Sequence, residues 1–256
     1  MSRRLWLTRP AAQAAESRAA FAALGFEVLD VPVLAIEPVT GEAERQAIRT
    51  RILDFDRYHW AVFVSQNAVR EGVAWLSDYW PQLPLHTRYL AIGAATGRAL
   101  EQAGLPVVGR PAIDSAMNSE ALLALPELAD LTDQAVLLFR GEGGRTHLAD
   151  TLSARGARVD QLALYRRVLP DQAASSVAGA LAAGDAVLTV HSGESLDNLC
   201  QTLANQQALE ACLTWPLVVP GERVAALAET RGFRHITVAV NASDNAMAEA
   251  LQSLGR

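Results

Sequence analysis

Between Val136 and Val168 the chain reads VLLFRGEGGRTHLADTLSARGARVDQLALYRRV, and this stretch restricts the fold more than any other. The apolar run Val136–Phe139 predicts a buried strand. Arg140 and a glycine-rich turn follow, then an amphipathic helix closed by Gly156. A second strand begins at Arg158 and runs to Tyr165. The same plan opens the chain at Leu5–Val39, LWLTRPAAQAAESRAAFAALGFEVLDVPVLAIEPV. There Arg9 corresponds to Arg140, and Gly25-Phe26-Glu27-Val28 to Gly156-Ala157-Arg158-Val159 at the same offset.

The likeness extends along the chain. Val62-Phe63-Val64-Ser65 resembles Thr189-Val190-His191-Ser192, Ile92-Gly93…Gly104 resembles Pro220-Gly221…Gly232, and a helix at Ser119–Leu123 has its counterpart at Met247–Leu251. Strands are expected at Trp60–Val64, Tyr89–Ile92, Val107–Val108, Ala186–Val190, Leu217–Val219 and Ile236–Val240. Helices are expected from Pro10, over 41–54, from Ser65 to about Tyr79, over Ala94–Ala103, Asn118–Leu125 and Ala173–Ala183, after Ser192, and over Glu222–Thr230 and Asp244–Leu254. Val28–Ile36 reads as one extended segment whose prolines suit an edge. Strands alternating with helices of this length give parallel βαβ units, an α/β class built as a duplication. Taken alone, the repeat divides the chain near residue 130.

A chain of 256 residues, 50% hydrophobic and 20% charged, is long enough for one large core or two modest ones. Its net charge of -6 argues against a nucleic-acid surface. Every basic residue is arginine, which excludes a Schiff-base or phosphate-loop lysine. Cys200 and Cys212 lack metal or redox spacing and read as reduced, semi-buried thiols. Leu5-Trp6-Leu7 is too short for a signal peptide, and no run is long enough to span a membrane. The expectation is a soluble, cytoplasmic protein without membrane or nucleic-acid partners.

In parallel α/β sheets ligands sit at the carboxyl ends of the strands. That rule selects Arg9, Ser65, Gly93, Arg140, Ser192 and Gly221. Helix N-termini favour anions, and arginine adds a fork suited to carboxylate or phosphate. Each serine alone reads as a plain N-cap worth about 1 kcal/mol; six such turns together predict an anion-binding cleft. The turn Gly141-Glu142-Gly143-Gly144-Arg145 has neither the ending of a phosphate loop nor the third glycine of a dinucleotide fingerprint, since Thr146 stands there. No histidine has ligand spacing, so no metal is expected. His191 and Ser192 are adjacent and point to opposite faces. Tyr165 has two readings: a phenol able to donate its proton to a leaving oxygen, or an aromatic packed beneath a hinge.

Thr8-Arg9-Pro10 with Gly25-Phe26, Val62-Phe63-Val64-Ser65-Gln66-Asn67-Ala68-Val69, Ala91-Ile92-Gly93-Ala94-Ala95-Thr96, Tyr165 and Val219-Pro220-Gly221-Glu222-Arg223 together resemble the uroporphyrinogen-III synthase family. The resemblance covers almost the whole chain and keeps the order of the segments. It implies two similar lobes joined by a two-stranded connector, with the active site in the cleft between them. Residues 1–35 with 169–256 would form one lobe and 36–168 the other, with connector strands near 31–38 and 161–169. The implied reaction is cyclisation of hydroxymethylbilane to uroporphyrinogen III, with inversion of ring D and loss of water, without cofactor or metal. By similarity Tyr165 is the acid, while Ser65, Asn67, Thr96, Ser192 and the loops at Arg9, Gly93, Arg140 and Gly221 hold substrate. Where some relatives have Gly-Pro-Thr-Thr, this chain has Pro220-Gly221-Glu222-Arg223, so hydroxyl contacts from that turn do not transfer. The resemblance also suggests hand-over of substrate from hydroxymethylbilane synthase, and a monomer is expected. The alternative is a non-enzymatic bilobal binding protein for a polycarboxylate or nucleotide.

Overall fold

The computed structural model describes residues 3–108, 119–144 and 146–254. Asn118, the expected start of a helix, and Arg145 of the glycine turn lie outside the described residues. The first elements are β1 (Arg4–Leu7), α1 (Ala14–Ala23), β2 (Glu27–Asp30), β3 (Ala35–Pro38), α2 (Glu42–Leu53), β4 (Trp60–Phe63), α3 (Gln66–Tyr79), β5 (Arg88–Ala91) and α4 (Ala94–Gln102). Next come α5 (Ser119–Leu123), β6 (Ala135–Gly141), α6 (His147–Ala154), β7 (Arg158–Val168), α7 (Ala173–Ala182) and β8 (Val187–Thr189). The last are α8 (Gly193–Asn205), α9 (Leu209–Cys212), β9 (Pro216–Pro220), α10 (Glu222–Thr230), β10 (His235–Ala239) and α11 (Asp244–Ser253).

The chain divides into two compact units, Met1–Ala35 with Val168–Arg256, and Ile36–Arg167. The first holds a sheet of order β10-β9-β8-β1-β2, the second a sheet of order β3-β7-β6-β4-β5. In the first, β1 runs parallel to β2 and β8, and β9 to β8 and β10. In the second, β6 runs parallel to β4 and β7, and β4 to β5. The strand expected at Val107–Val108 reduces to an isolated parallel bridge from Val107 to Tyr89. With that bridge in the place of β10, the series Val107-β5-β4-β6-β7 reproduces β10-β9-β8-β1-β2. The duplication seen in the sequence is therefore a duplication of topology.

Period-two alternation assigns the faces. In β4 and β6, Ala61, Phe63, Leu137 and Phe139 enter one cluster with Ile48, Ile52, Val69 and Leu76 of α2 and α3. Trp60, Val62, Val136 and Leu138 enter another with Leu122, Leu148 and Leu152 of α5 and α6. The first unit repeats this, with Trp6, Leu188 and Val219 on one face and Leu5, Leu7 and Val218 on the other. Central strands covered on both sides are continuously apolar, which is why they are plain in the sequence.

Four departures stand out, and the first two have local causes. Pro10 caps a short 3-10 turn, Ala11–Gln13, and α1 begins only at Ala14. The segment expected to be extended over Val28–Ile36 breaks after Asp30. Val31 and Val33 donate to Leu7 and Thr8 of the neighbouring chain segment, but Pro32 between them has no N–H to give. Strand β7 continues beyond Tyr165 to Val168, and among the described residues α9 is a helix that the periodicity did not mark.

Candidate functional site

In the unit Ile36–Arg167 the parallel strands bring Ser65, Gly93, Arg140 and Tyr165 to the carboxyl end of one sheet. Ser65 leaves β4 extended (φ -164, ψ 164) and caps α3, its Oγ accepting the Ala68 N–H at 3.1 Å. The same Oγ lies 2.8 Å from the Tyr165 hydroxyl. Tyr165 is 2% exposed, on β7 opposite Gly141, where the β6–β7 register shifts. A Cβ at Gly141 would stand 2.5 Å from the Tyr165 ring. Only glycine lets the phenol lie against β6, so this glycine is a packing requirement and not a phosphate cradle.

A cavity of about 290 Å³ opens beside this pair, lined by Val64, Leu138, Arg140, Gly143, Tyr165 and Arg167 among others. Its size is at the lower edge of small-ligand pockets. The Arg140 Nη1 donates to Gln161 Oε1 at 2.5 Å, and its Nη2 to the Gly143 carbonyl. Arg140 thus stitches the glycine turn while presenting its charge to the cavity. Sequence reasoning missed Arg167 as a site residue. It stands two residues past Tyr165 on β7, and the alternation of that strand was the signal that could have found it. Arg166 instead pairs with Glu142 at 2.7 Å and with Glu44, and this pairing holds the Glu142 carboxyl below its usual range. Asn67 is half-buried in the first turn of α3, and Thr96 is buried in the first turn of α4.

The other unit repeats the scaffold with different side chains. Ser192 caps α8 with nearly the dihedrals of Ser65 (φ -162, ψ 164), and accepts from the Ser195 N–H. Its second partner is the Ser195 hydroxyl, at 2.9 Å. Gly93 and Gly221 cap α4 and α10 at φ 80, ψ 157 and φ 84, ψ 163, a region open essentially to glycine alone. Arg9 is engaged inside its unit: Nη1 meets Asp244 at 2.8 Å and Ser17 at 2.9 Å, and Nη2 meets the Ala242 carbonyl at 3.1 Å. Arg9 and Arg140 therefore match in position and differ in use. Arg9, Ser192 and Gly221 belong to this unit. In the other, Ser65 and Tyr165 are joined by a direct contact, and Tyr165 and Arg140 by a shared cavity.

Cys200 and Cys212 are free and buried, not semi-buried, and burial pushes both thiols up to about 11. Among the described residues no three His, Cys, Asp or Glu side chains cluster as a metal site would require. Among them also, no helix is long and apolar enough to cross a membrane.

Comparison with known proteins points to one family. A family model described as Uroporphyrinogen-III synthase HemD matches residues 15–249. The uroporphyrinogen-III synthase of Salmonella typhimurium is 35% identical over 245 residues, covering 95% of this chain and 96% of its own. That of Escherichia coli is 35% identical over 193 residues, covering 74% and 76%. Among solved structures, a mutant uroporphyrinogen III synthase from Thermus thermophilus superposes with a TM-score of 0.66 at 23% identity, covering 100% of this chain and 98% of that one. The uroporphyrinogen-III synthetase of Helicobacter pylori gives 0.62 at 17% identity, covering 99% and 100%. At these identities the structures speak for the fold, and the sequence matches carry the family. The chain belongs to the uroporphyrinogen-III synthase family of cyclising hydro-lyases.

Proposed function

We propose that this chain cyclises hydroxymethylbilane to uroporphyrinogen III, with Tyr165 as the acid that releases the substrate hydroxyl. The observation that carries the assignment is the buried Tyr165 hydroxyl, held 2.8 Å from Ser65 Oγ in the wall of a cavity that also contains Arg140 and Arg167. Guanidinium groups suit the substrate's carboxylates. Tyr165 gives its proton to the departing hydroxyl, which leaves as water, and the linear chain becomes an electrophilic azafulvenium. The substituted carbon of ring D attacks it, the spiro intermediate reopens, and ring D closes inverted. The proton lost on closure returns to the phenolate, so the balance is one substrate to one product and one water. Unaided closure gives the uninverted isomer, so the protein's main contribution is to hold one arrangement of a flexible chain. Asn67, Thr96, Ser192 and the loops at Arg9, Gly93 and Gly221 are the remaining substrate holders in this reading, Arg9 through its loop because its guanidinium is engaged.

The same reading has the chain acting in the cytoplasm as a monomer, supplied by hydroxymethylbilane synthase. A purely binding role is not favoured, since the relatives above are named as synthases. Incubation of the purified protein with hydroxymethylbilane should give isomer III, and isomer I at the uncatalysed rate would overturn the proposal. Tyr165→Phe should slow turnover at least severalfold with an unchanged circular dichroism spectrum; unchanged turnover would return Tyr165 to a packing role.

A further inference from the structure

The contact between Ser65 and Tyr165 is more than a cap that happens to lie near a phenol. We propose that Ser65 is a positioning residue, which decides where the Tyr165 proton points and couples the N-terminus of α3 to the phenol oxygen. This rests on the reading of Tyr165 as the acid.

The argument starts from what one hydroxyl can do. Ser65 Oγ has one proton and two lone pairs. One lone pair is occupied by the Ala68 N–H at 3.1 Å. The remaining neighbour is the Tyr165 oxygen at 2.8 Å. If Tyr165 donated in this contact, its proton would be engaged and unavailable to a leaving group. If Ser65 donates, the phenol proton is released toward the cavity, and the phenolate formed by proton transfer already has a donor. That donor is polarised by an amide in the first turn of a helix, where the partial charge is positive. Charge developing on the phenol oxygen is thus met by a preset dipole. The ring itself has little room to move, because Gly141 lies so close that a Cβ there would be 2.5 Å from it.

The duplicated fold supplies a control. Ser192 has the same backbone conformation and the same cap to the residue three positions on, yet its second partner is the Ser195 hydroxyl. Capping in this scaffold therefore does not require a tyrosine. Of these two caps, that of the Ile36–Arg167 unit is the one that meets a phenol.

Steady-state kinetics of Ser65→Ala, Ser65→Thr, Tyr165→Phe and Ser65→Ala with Tyr165→Phe, using hydroxymethylbilane, separate the possibilities. Ser65→Ala should lower kcat about tenfold with KM changed less than about twofold, and Ser65→Thr should recover most of the loss. In the Tyr165→Phe background Ser65→Ala should cost nothing further, because the atom it serves is gone. Should Ser65→Ala fold poorly, Ser65→Gly replaces it, since glycine is nearly as good an N-cap as serine. A slow Tyr165→Phe enzyme that Ser65→Ala slows again by the same factor would overturn the role of Ser65 and leave the acid standing. A rise in KM without a fall in kcat would do the same, by making Ser65 a substrate contact. Tyr165→Phe with undiminished kcat would overturn the acid reading itself, and this inference with it.

Discussion

His191 follows β8 and is partly buried as a residue, yet both ring nitrogens are sealed from solvent and have no hydrogen-bond partner among the described residues. Burial first, and then the nearby charge of Arg9, push its pKa down to about 3. An unfolded histidine titrates near 6.5, so between about pH 6.5 and 3 the unfolded chain binds a proton that the folded chain refuses. Stability is therefore full above that window and falls as pH drops through it, by at most about 1.4 kcal/mol per pH unit from this one group. Urea titrations at pH 7, 6 and 5 should show a shallower decline for His191→Gln than for the parent, and parallel declines would refute the assignment. The repeat marks the position of this residue and says nothing of its burial, because the environment of an imidazole is set by what folds over it. Arg9 teaches the same lesson. Its turn is legible from the offset shared with Arg140, but its partner Asp244 is 235 residues away, and no local spacing could say whether its donors were engaged.

Helix α3 shows why an element can be legible while its packing is not. Its apolar spacing and Ser65 cap are plain, but Gly72 in its middle would on propensity alone count as a weakness of about 1 kcal/mol relative to alanine. In the fold Gly72 is buried against the stacked pair Phe63 and Phe139, whose ring centroids are 4.3 Å apart. A Cβ at Gly72 would stand 2.7 Å from Phe139 and 2.9 Å from Phe63. Rings fixed in a stack cannot swing away, so the helix sits close only because the side chain is missing. Overpacking costs typically 1–3 kcal/mol, and the propensity gain offsets about 1 kcal/mol of that. Gly72→Ala should thus destabilise by up to about 2 kcal/mol in thermal or denaturant unfolding, although it improves the isolated helix; an increase in stability would show that α3 can shift. The central strands are legible for the opposite reason, since burial on both faces writes an apolar run at β4, β6, β8 and β9. Val31–Leu34 misleads because the consequence of Pro32 depends on which neighbouring carbonyls await a donor.

At the scale of the whole chain the sequence repeat predicts topology and misplaces the division. The duplication alone suggests a cut near residue 130, yet Met1–Ala35 packs with Val168–Arg256, and β6-α6-β7 packs with the middle of the chain. Hydrophobic periodicity says which face of a strand is buried and nothing about which strand lies beside it, so the exchange of the first strand–helix–strand segment between repeats left no trace in the pattern. Two arrangements with the same elements are separable by experiment. Trp6 lies in a core with Val177, Leu188, Leu199 and Val219, whereas Phe139 lies in one with Ile52, Phe63 and Leu76. Truncating either large aromatic to alanine costs about 3–5 kcal/mol, enough to raise sub-global opening within the unit that loses it. Hydrogen exchange of Trp6→Ala should then accelerate in β8, β9 and α8, far away in sequence, and leave β4 and β5 near parent rates. Phe139→Ala should do the reverse. If Trp6→Ala instead deprotected β4 and β5 ahead of β8 and β9, the N-terminal segment would belong with the residues that directly follow it, and the exchange between repeats would be wrong.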